Sequence, residues 1–149
     1  MKISTKGRYA LRMLVELAER KNDGFISLSD IARNQDISKN YLEQIIPLLN
    51  RRKMLKTTRG AGGGYMLSRE PSEYSLGEIL RATEGGGITP VACIDECAPG
   101  CIRRSTCPAF EVWDGLYKVI SAYVDNMTLQ DIVDMHGEKL SALQNAARP

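Results

Sequence analysis

Four cysteines, the only ones in the 149-residue chain, lie within fifteen positions at Cys93, Cys97, Cys101 and Cys107. Thiols this close together can form two disulfides, bind zinc, hold an iron–sulfur cluster or act as a redox relay. The sequence has neither an apolar signal segment nor a run long enough to span a membrane, so we expect a cytoplasmic protein. In a reducing cytosol, clustered cysteines are more often metal ligands or reactive thiols than disulfides.

The cysteine spacing alone leaves several sites open. The gaps are three, three and five residues, whereas zinc knuckles pair cysteines two to four residues apart. A thioredoxin-like enzyme requires two cysteines separated by two residues, and the sequence has no such pair. Pro108 fits the first position of a helix, so we expect Cys107 at a helix N-terminus, where the dipole favours a thiolate. A thiolate at this position is equally consistent with a cluster ligand, a zinc ligand and a reactive thiol.

The charge of the chain is divided unevenly along its length. Residues 1–60 carry 13 Lys and Arg against 6 Asp and Glu, whereas residues 61–149 carry 7 against 12. A basic first part suits a polyanionic partner, and the acidic second part suits a different role.

The basic part shows the pattern of a helix-turn-helix. Apolar residues at helical spacing predict helices that start after Ser4, Ser27 and Ser38, because serine is a good helix cap. The third predicted helix runs to Lys53, and Pro47 inside it predicts a kink or an early end. Two short helices joined by a tight turn form the motif whose second helix enters the DNA major groove.

A glycine-rich segment follows the third predicted helix. Residues 57–58 and 65–67 flank Gly60-Ala-Gly-Gly-Gly64, which predicts a β-hairpin with a turn at positive φ. The segment lacks the Lys-Ser/Thr of a P-loop and the helix of a dinucleotide fingerprint. A hairpin at this place predicts the wing of a winged helix, with Arg59 able to reach a narrow minor groove and Gly60 close to phosphates.

The second half predicts a sensor loop and a dimerisation helix. A helix should start after Ser75 and end near Glu84, and a long helix should start at Pro108. That helix carries two apolar seams. One runs through residues 110, 117 and 124, and the other through Ala109, Val112, Trp113, Leu116, Val119, Ile120, Tyr123 and Met127. A second seam needs a partner, and a symmetric dimer supplies one. A short last helix and a fraying tail should follow.

The predicted fold is therefore mainly α with a small β-hairpin wing. It divides into a winged helix-turn-helix domain (1–84), a cysteine-rich sensor loop (85–107), a dimerisation helix with a short capping helix (108–135) and a tail (136–149).

The candidate DNA-binding residues fall into two sets. The first two turns of the recognition helix hold Ser38, Asn40, Tyr41, Glu43 and Gln44. Gln44 can pair with adenine, and Glu43 can accept from the amino group of cytosine. The alternative is that these polar residues merely face solvent and that Tyr41 belongs to the core. The candidate phosphate and wing contacts are Lys2, Lys6, Arg8, Arg51, Arg59 and Gly60.

Three separated motifs carry a family resemblance. They are residues 1–10, Tyr41-Leu-Glu-Gln44 and Arg59-Gly-Ala-Gly-Gly-Gly-Tyr65. The chain, from Met1 to about Met135, closely resembles the family of bacterial winged-helix regulators that includes IscR, NsrR and CymR. Members are homodimeric transcriptional regulators, so the resemblance implies a homodimeric repressor or activator bound to a double-stranded DNA operator, with no membrane association and no enzymatic activity.

The resemblance also bears on the cysteines. Several members hold an iron–sulfur cluster in the loop before the long helix, which implies that Cys93, Cys97, Cys101 and Cys107 bind one here, [2Fe–2S] being favoured over [4Fe–4S] and zinc being the alternative. IscR-like proteins have a histidine where this chain has Phe110, and NsrR-like proteins have an acidic residue where it has Arg8. Four-cysteine ligation is therefore favoured over three cysteines plus a ligand from elsewhere. His136 is expected at the surface.

Other functions stay open at this point. CymR-like members lack the cluster and respond through a partner protein of cysteine metabolism, although four cysteines argue against that subgroup. An iron–sulfur assembly protein is the other possible partner. A redox or electron-transfer protein is the alternative from a different class; it predicts no specific DNA binding, whereas a regulator predicts binding that weakens steeply with salt.

Overall fold

The computed structural model describes residues 2–85, 87–95 and 101–146. These residues form six α-helices and a two-stranded antiparallel sheet. The helices are α1 (Thr5–Glu19), α2 (Leu28–Gln35), α3 (Lys39–Arg51), α4 (Leu76–Glu84), α5 (Phe110–Asn126) and α6 (Leu129–Ala146), and the strands are β1 (Leu55–Thr58) and β2 (Gly64–Leu67). This architecture confirms the predicted mainly α fold with a β-hairpin wing.

Serine hydroxyls start four of the helices, as the sequence predicts. Ser4, Ser27, Ser38 and Ser75 each accept a hydrogen bond from the backbone N–H three residues later. Each bond satisfies a donor that the first helical turn leaves unpaired. Gly85, with φ at +70°, ends α4 in the left-handed conformation typical of a helix C-terminus.

The main core lies between α1, α3, α4 and the hairpin. Its buried residues include Met13, Leu17, Leu42 and Leu49. Tyr74 is fully buried, and its hydroxyl donates to the Met54 carbonyl at 2.8 Å while accepting the N–H groups of residues 68 and 69 at 2.9 Å. This hydroxyl therefore fastens the end of the hairpin to the core.

The hairpin is joined to the segment before α2. Leu55 pairs with Leu67 in the two-stranded register, and Ile26 exchanges two 2.9 Å backbone hydrogen bonds with Tyr65. A Cβ at Gly64 would lie 2.3 Å from the Ile26 carbonyl oxygen. Glycine is required there because the two backbones approach too closely for a side chain.

A second, smaller core joins α4 and α5. Leu80, Ile88 and Val124 are buried in it, and Ile3 and Ile120 pack against them. An ion pair between Arg81 and Asp125 also joins the two helices. The long helix is thus packed on the winged-helix domain along one seam.

Three local predictions are corrected. Of the kink or early end predicted at Pro47, the early end is wrong, because α3 continues to Arg51. Pro47 and Glu43, whose carbonyl loses its helical N–H partner to the proline, are both exposed residues. Helix α5 starts at Phe110 with Ala109 as its cap, so Pro108 precedes the first helical turn and Cys107 is not directly at the N-terminus.

The last helix is long rather than short. It continues from Leu129 through the predicted tail to Ala146, because alanine, leucine, glutamine and lysine in this segment are strong helix formers. Within the described ranges, no helix is both long and apolar enough to cross a membrane.

Candidate DNA-binding face and cysteine loop

Helix α3 presents a polar side to solvent and an apolar side to the core. Leu42 and Ile45 are buried, whereas Asn40, Glu43 and Gln44 are exposed. No side-chain hydrogen bond joins these three polar residues to another described residue. Ser38 is also exposed, and its hydroxyl caps α3 through the Tyr41 N–H at 3.3 Å. The exposed groups are therefore available to base edges, as a recognition helix requires.

Tyr41 has a packing role on α1. It is half-buried, and its ring meets the ring of Tyr9 edge-on, with centroids 5.3 Å apart and an interplanar angle of 74°. The Arg12 guanidinium lies 5.4 Å from the Tyr9 centroid, and its Nε donates to Gln35 Oε1 at 3.2 Å. These contacts tie α1 to both helices of the helix-turn-helix.

Most of the predicted phosphate-binding residues are exposed cations. Lys2, Lys6 and Arg8 lie at the start of α1, and Arg59 and Gly60 lie at the tip of the hairpin. Among the described residues no ion pair involves any of the four cations; the Arg8 guanidinium instead donates to Thr5 Oγ1 at 3.0 Å. Gly60 has φ at +97°, which confirms the predicted positive φ in the turn.

Arg51 lies apart from the exposed start of α3. A helix rises about 1.5 Å per residue, which places Arg51 roughly 20 Å along α3 from Ser38. Arg51 lines a cavity of about 370 Å³ together with Arg52, Asp95 and Tyr117. Arg51 therefore lies beside the segment that leads into the cysteine loop, and it precedes β1 of the wing by four residues.

A buried carboxylate that the sequence patterns did not predict joins α1 to α2. Glu16 is 3% exposed, and its Oε1 accepts from Asn34 Nδ2 at 2.8 Å. Its Oε2 is buried without a hydrogen-bond partner in the described part of the chain. The signal was present, because Glu16 lies between Met13 and Leu17 on the apolar side of the first predicted helix. Glu16 therefore helps to set the position of α2.

Three of the four cysteines lie in the described ranges. Cys93, Cys101 and Cys107 are free and half-buried, and Cys97 lies outside the described residues. The Cys101 carbonyl accepts from the Arg104 N–H at 3.0 Å, and the Cys107 carbonyl accepts from the Phe110 N–H at 3.2 Å. These bonds shape the turn that leads into α5.

Comparison with known proteins decides the family. A family model described as Rrf2, iron-dependent transcriptional regulator, matches residues 3–135. The chain belongs to the Rrf2 family. Among curated Rrf2-type relatives, the transcriptional regulator CymR of Bacillus subtilis is 38% identical over 132 residues, which cover 89% of each protein. The regulator IscR of Yersinia pseudotuberculosis is 31% identical over 134 residues, or 90% of this chain and 80% of the relative.

Solved structures show the same fold. The structure of CymR, the global cysteine regulator of B. subtilis, matches with a TM-score of 0.74 at 36% identity, covering 91% of this chain and 98% of that one. The structure of T. potens IscR matches with a TM-score of 0.68 at 30% identity, covering 100% and 93%. The Rrf2 chain is therefore a transcriptional regulator with a DNA-binding winged helix, as its motifs predicted.

The described cysteines of this Rrf2 chain, Cys93, Cys101 and Cys107, match an iron–sulfur cluster in their chemistry. Free, half-buried thiols are the ligands that such clusters use. Within the described ranges, however, no three Cys, His, Asp or Glu side chains converge as a metal site would require. His136, the only histidine, lies in α6, where its Nδ1 is 2.5 Å from Glu19 Oε1. Phe110 lies under the Arg104 guanidinium, 4.8 Å from its ring centroid.

Proposed function

We propose that this Rrf2 regulator binds a near-palindromic DNA operator as a homodimer and reports iron–sulfur, redox or nitric-oxide status through its cysteine loop. The observation that carries the DNA-binding part is the start of α3, where Asn40, Glu43 and Gln44 are exposed while Leu42 and Ile45 are buried. A helix anchored in this way can enter the major groove without exposing its core.

The homodimer is supported by the outer side of α5. Val112, Leu116, Val119 and Tyr123 are 62%, 43%, 67% and 61% exposed, at helical spacing along one side. An apolar stripe of this length is typical of an interaction surface. A second copy related by a two-fold axis would cover both stripes at once and would place two recognition helices on one operator.

The sensing role is supported by the position and chemistry of the thiols. The cysteine loop connects α4 of the winged helix to α5, so a change in the loop can alter how the two elements are placed. Cys93, Cys97, Cys101 and Cys107 would hold the cluster, which we propose to be of the [2Fe–2S] type. When bound, an iron–sulfur cluster supplies an inorganic centre whose oxidation state and integrity respond to redox conditions and to nitric oxide.

The cluster is tested by purifying the protein without oxygen and measuring visible absorption together with iron, sulfide and zinc contents. Brown protein with matching iron and sulfide would support the proposal, and the Cys→Ser variants that bleach would identify the ligands. Colourless protein containing zinc would make the loop a structural metal site instead.

DNA binding is tested on the same samples with candidate operators at several salt concentrations. A regulator should bind specifically, with affinity that decreases steeply as salt increases. Equal operator affinities for cluster-loaded and cluster-free protein would contradict the sensing role. Cluster-containing protein without specific DNA binding would favour an electron-transfer protein.

A second candidate is a cluster-free regulator similar to CymR. The higher identity to CymR than to IscR, 38% against 31%, favours it. It predicts colourless, metal-free protein that still binds its operator specifically, with regulation by thiol chemistry or by a partner protein of cysteine metabolism.

A further inference from the structure

A single carboxylate holds the N-terminal end of α1. The Ser4 N–H donates to both Oε1 and Oε2 of Glu84 at 3.2 Å, and the Ser4 hydroxyl donates to Oε1 at 3.0 Å. The same hydroxyl accepts the Gly7 N–H at 3.2 Å and so caps α1. Glu84 therefore fixes the residue at which the N-terminal arm, residues 2–4, joins the helix.

The approach of Glu84 depends on a glycine. A Cβ at Gly7 would lie 2.3 Å from Glu84 Oε1 and 3.2 Å from Ile3 Cγ2. Any larger residue at position 7 would displace the carboxylate, because a flexible side chain moves more readily than two helix backbones. Gly7 thus leaves room for the contact between the arm and α4.

The arm is also attached through its apolar residue. Ile3 packs against the small core of Leu80, Ile88 and Val124. Glu84 is the last residue of α4, and Ile88 lies between α4 and Cys93. Both attachments of the arm are therefore made to the elements that flank the cysteine loop.

Two of the candidate phosphate contacts lie on either side of Ser4, Lys2 in the arm and Lys6 in the first turn of α1. Lys2 and Lys6 are exposed, and neither forms an ion pair with any residue that the structure describes. Lys2 and Lys6 are four residues apart, with Ser4 between them. The directions in which their side chains point therefore depend on how Ser4 is held.

We propose that Glu84 is a positioning residue that holds the arm so that Lys2 and Lys6 meet DNA phosphates, and that it links the cysteine loop to these contacts. The inference rests on the proposed function, in which the two lysines contact operator DNA. Positioning and simple electrostatics predict opposite changes in DNA affinity when the Glu84 carboxylate is removed. Removing a negative charge near a DNA-binding surface should raise affinity for a polyanion, whereas loss of positioning should lower it.

The test is the salt dependence of operator binding by the full chain carrying Glu84→Ala. Each lost phosphate contact should reduce the slope of log affinity against log salt by about 0.9. Loss of both lysine contacts should thus lower the slope by roughly two per protomer. Affinity near 0.1 M salt should decrease by about tenfold per lost contact, with little change near 1 M. Glu111→Ala is the matched control, since it removes the same charge from an exposed side chain on α5.

Two further variants separate positioning from charge. Gly7→Ala conserves every charge but displaces the Glu84 carboxylate, so it should reduce the slope as Glu84→Ala does. In a Lys2→Gln/Lys6→Gln background, Glu84→Ala should reduce affinity by less than about twofold further, because the contacts it positions are already absent.

Hydrogen exchange gives a readout that a general loss of stability would not reproduce. In Glu84→Ala, the amides of residues 2–8 should exchange faster while those of α3 stay protected. Higher affinity of Glu84→Ala, or additive effects with the lysine variants, would overturn this inference alone. Wild-type protein that shows no specific operator binding would overturn the proposed function as well.

Discussion

Gln44 and Arg51 lie on the same helix, but we predict that Gln44 contacts a base and that Arg51 contacts a phosphate. Gln44→Ala should relax the preference for one base and cost about 1–3 kcal/mol on the preferred operator. Arg51→Ala should lower affinity for all sequences alike and reduce the salt slope by about 0.9 per protomer. Competition binding with operator and scrambled DNA measures both effects. Identical profiles for the two variants would show that the recognition-helix assignment is wrong.

Tyr74 offers a residue-scale test of the core. Tyr74→Phe leaves the Arg69 N–H without its partner, whereas the Met54 carbonyl and the Ser68 N–H lose one hydrogen bond each but keep the 3.1 Å bond between them. Because a buried group that loses its hydrogen bond keeps its desolvation penalty, we expect a loss of about 1–3 kcal/mol in the free energy of unfolding. Urea unfolding measures this. Tyr9→Phe, at a half-buried residue whose hydroxyl makes no hydrogen bond within the described part of the chain, is the control and should change stability by less than about 0.5 kcal/mol.

At the scale of elements, the cap of α6 predicts a dependence of stability on pH. The Thr128 N–H donates to the Asp131 carboxylate at 2.8 Å, and the Thr128 hydroxyl donates at 2.7 Å. These bonds, the backbone one first, hold the pKa of Asp131 below its ordinary value. A lowered pKa stabilises the fold above the unfolded pKa of about 3.9, and this stabilisation is lost as pH decreases through the folded pKa.

Asp131→Asn should therefore lower the Tm at pH 7, and the difference from the wild type should shrink as the pH decreases below about 4. Thermal unfolding followed by circular dichroism between pH 3 and pH 7 checks this. Glu138→Gln changes an exposed carboxylate of the same helix and should show no such trend. A Tm difference that stayed constant with pH would rule out the charged cap as its cause.

Element boundaries show where local rules were sufficient and where they were not. Serine caps determined four helix starts because each bond is made within one turn. Pro47 was expected to disturb α3, but the cost of proline depends on whether the carbonyl it leaves unpaired can reach water. Whether water reaches this carbonyl depends on how the helix packs and not on the residues next to the proline in the sequence.

At the scale of the whole molecule, the outer stripe of α5 predicts the oligomeric state. Leu116→Glu should leave the monomer folded, because Leu116 is 43% exposed, but should dissociate the dimer and weaken operator binding. Sedimentation equilibrium measures the mass. Leu143→Glu places the same charge at an exposed site on α6 and should leave the dimer intact. A dimeric Leu116→Glu protein would exclude this stripe as the interface.

The sequence by itself determined the order of the elements, the wing and the family, because capping serines, helical periodicity and the glycine turn act over a few residues. It also identified the exposed start of α3 and the four thiols as the chemically competent groups. Its division into domains, its phosphate contacts and its cluster ligands stay predictions.

Only the tertiary structure decided which parts of the chain meet. It brought Ser4 to Glu84, eighty residues away, buried Glu16 beside Asn34 and placed Arg51 beside the segment that leads into the cysteine loop. It also determined that α5 packs inward at Val124, whereas the seam that contains Leu116 remains exposed. Contacts between distant residues follow from how whole helices pack against one another, and no local pattern of residue types specifies that packing.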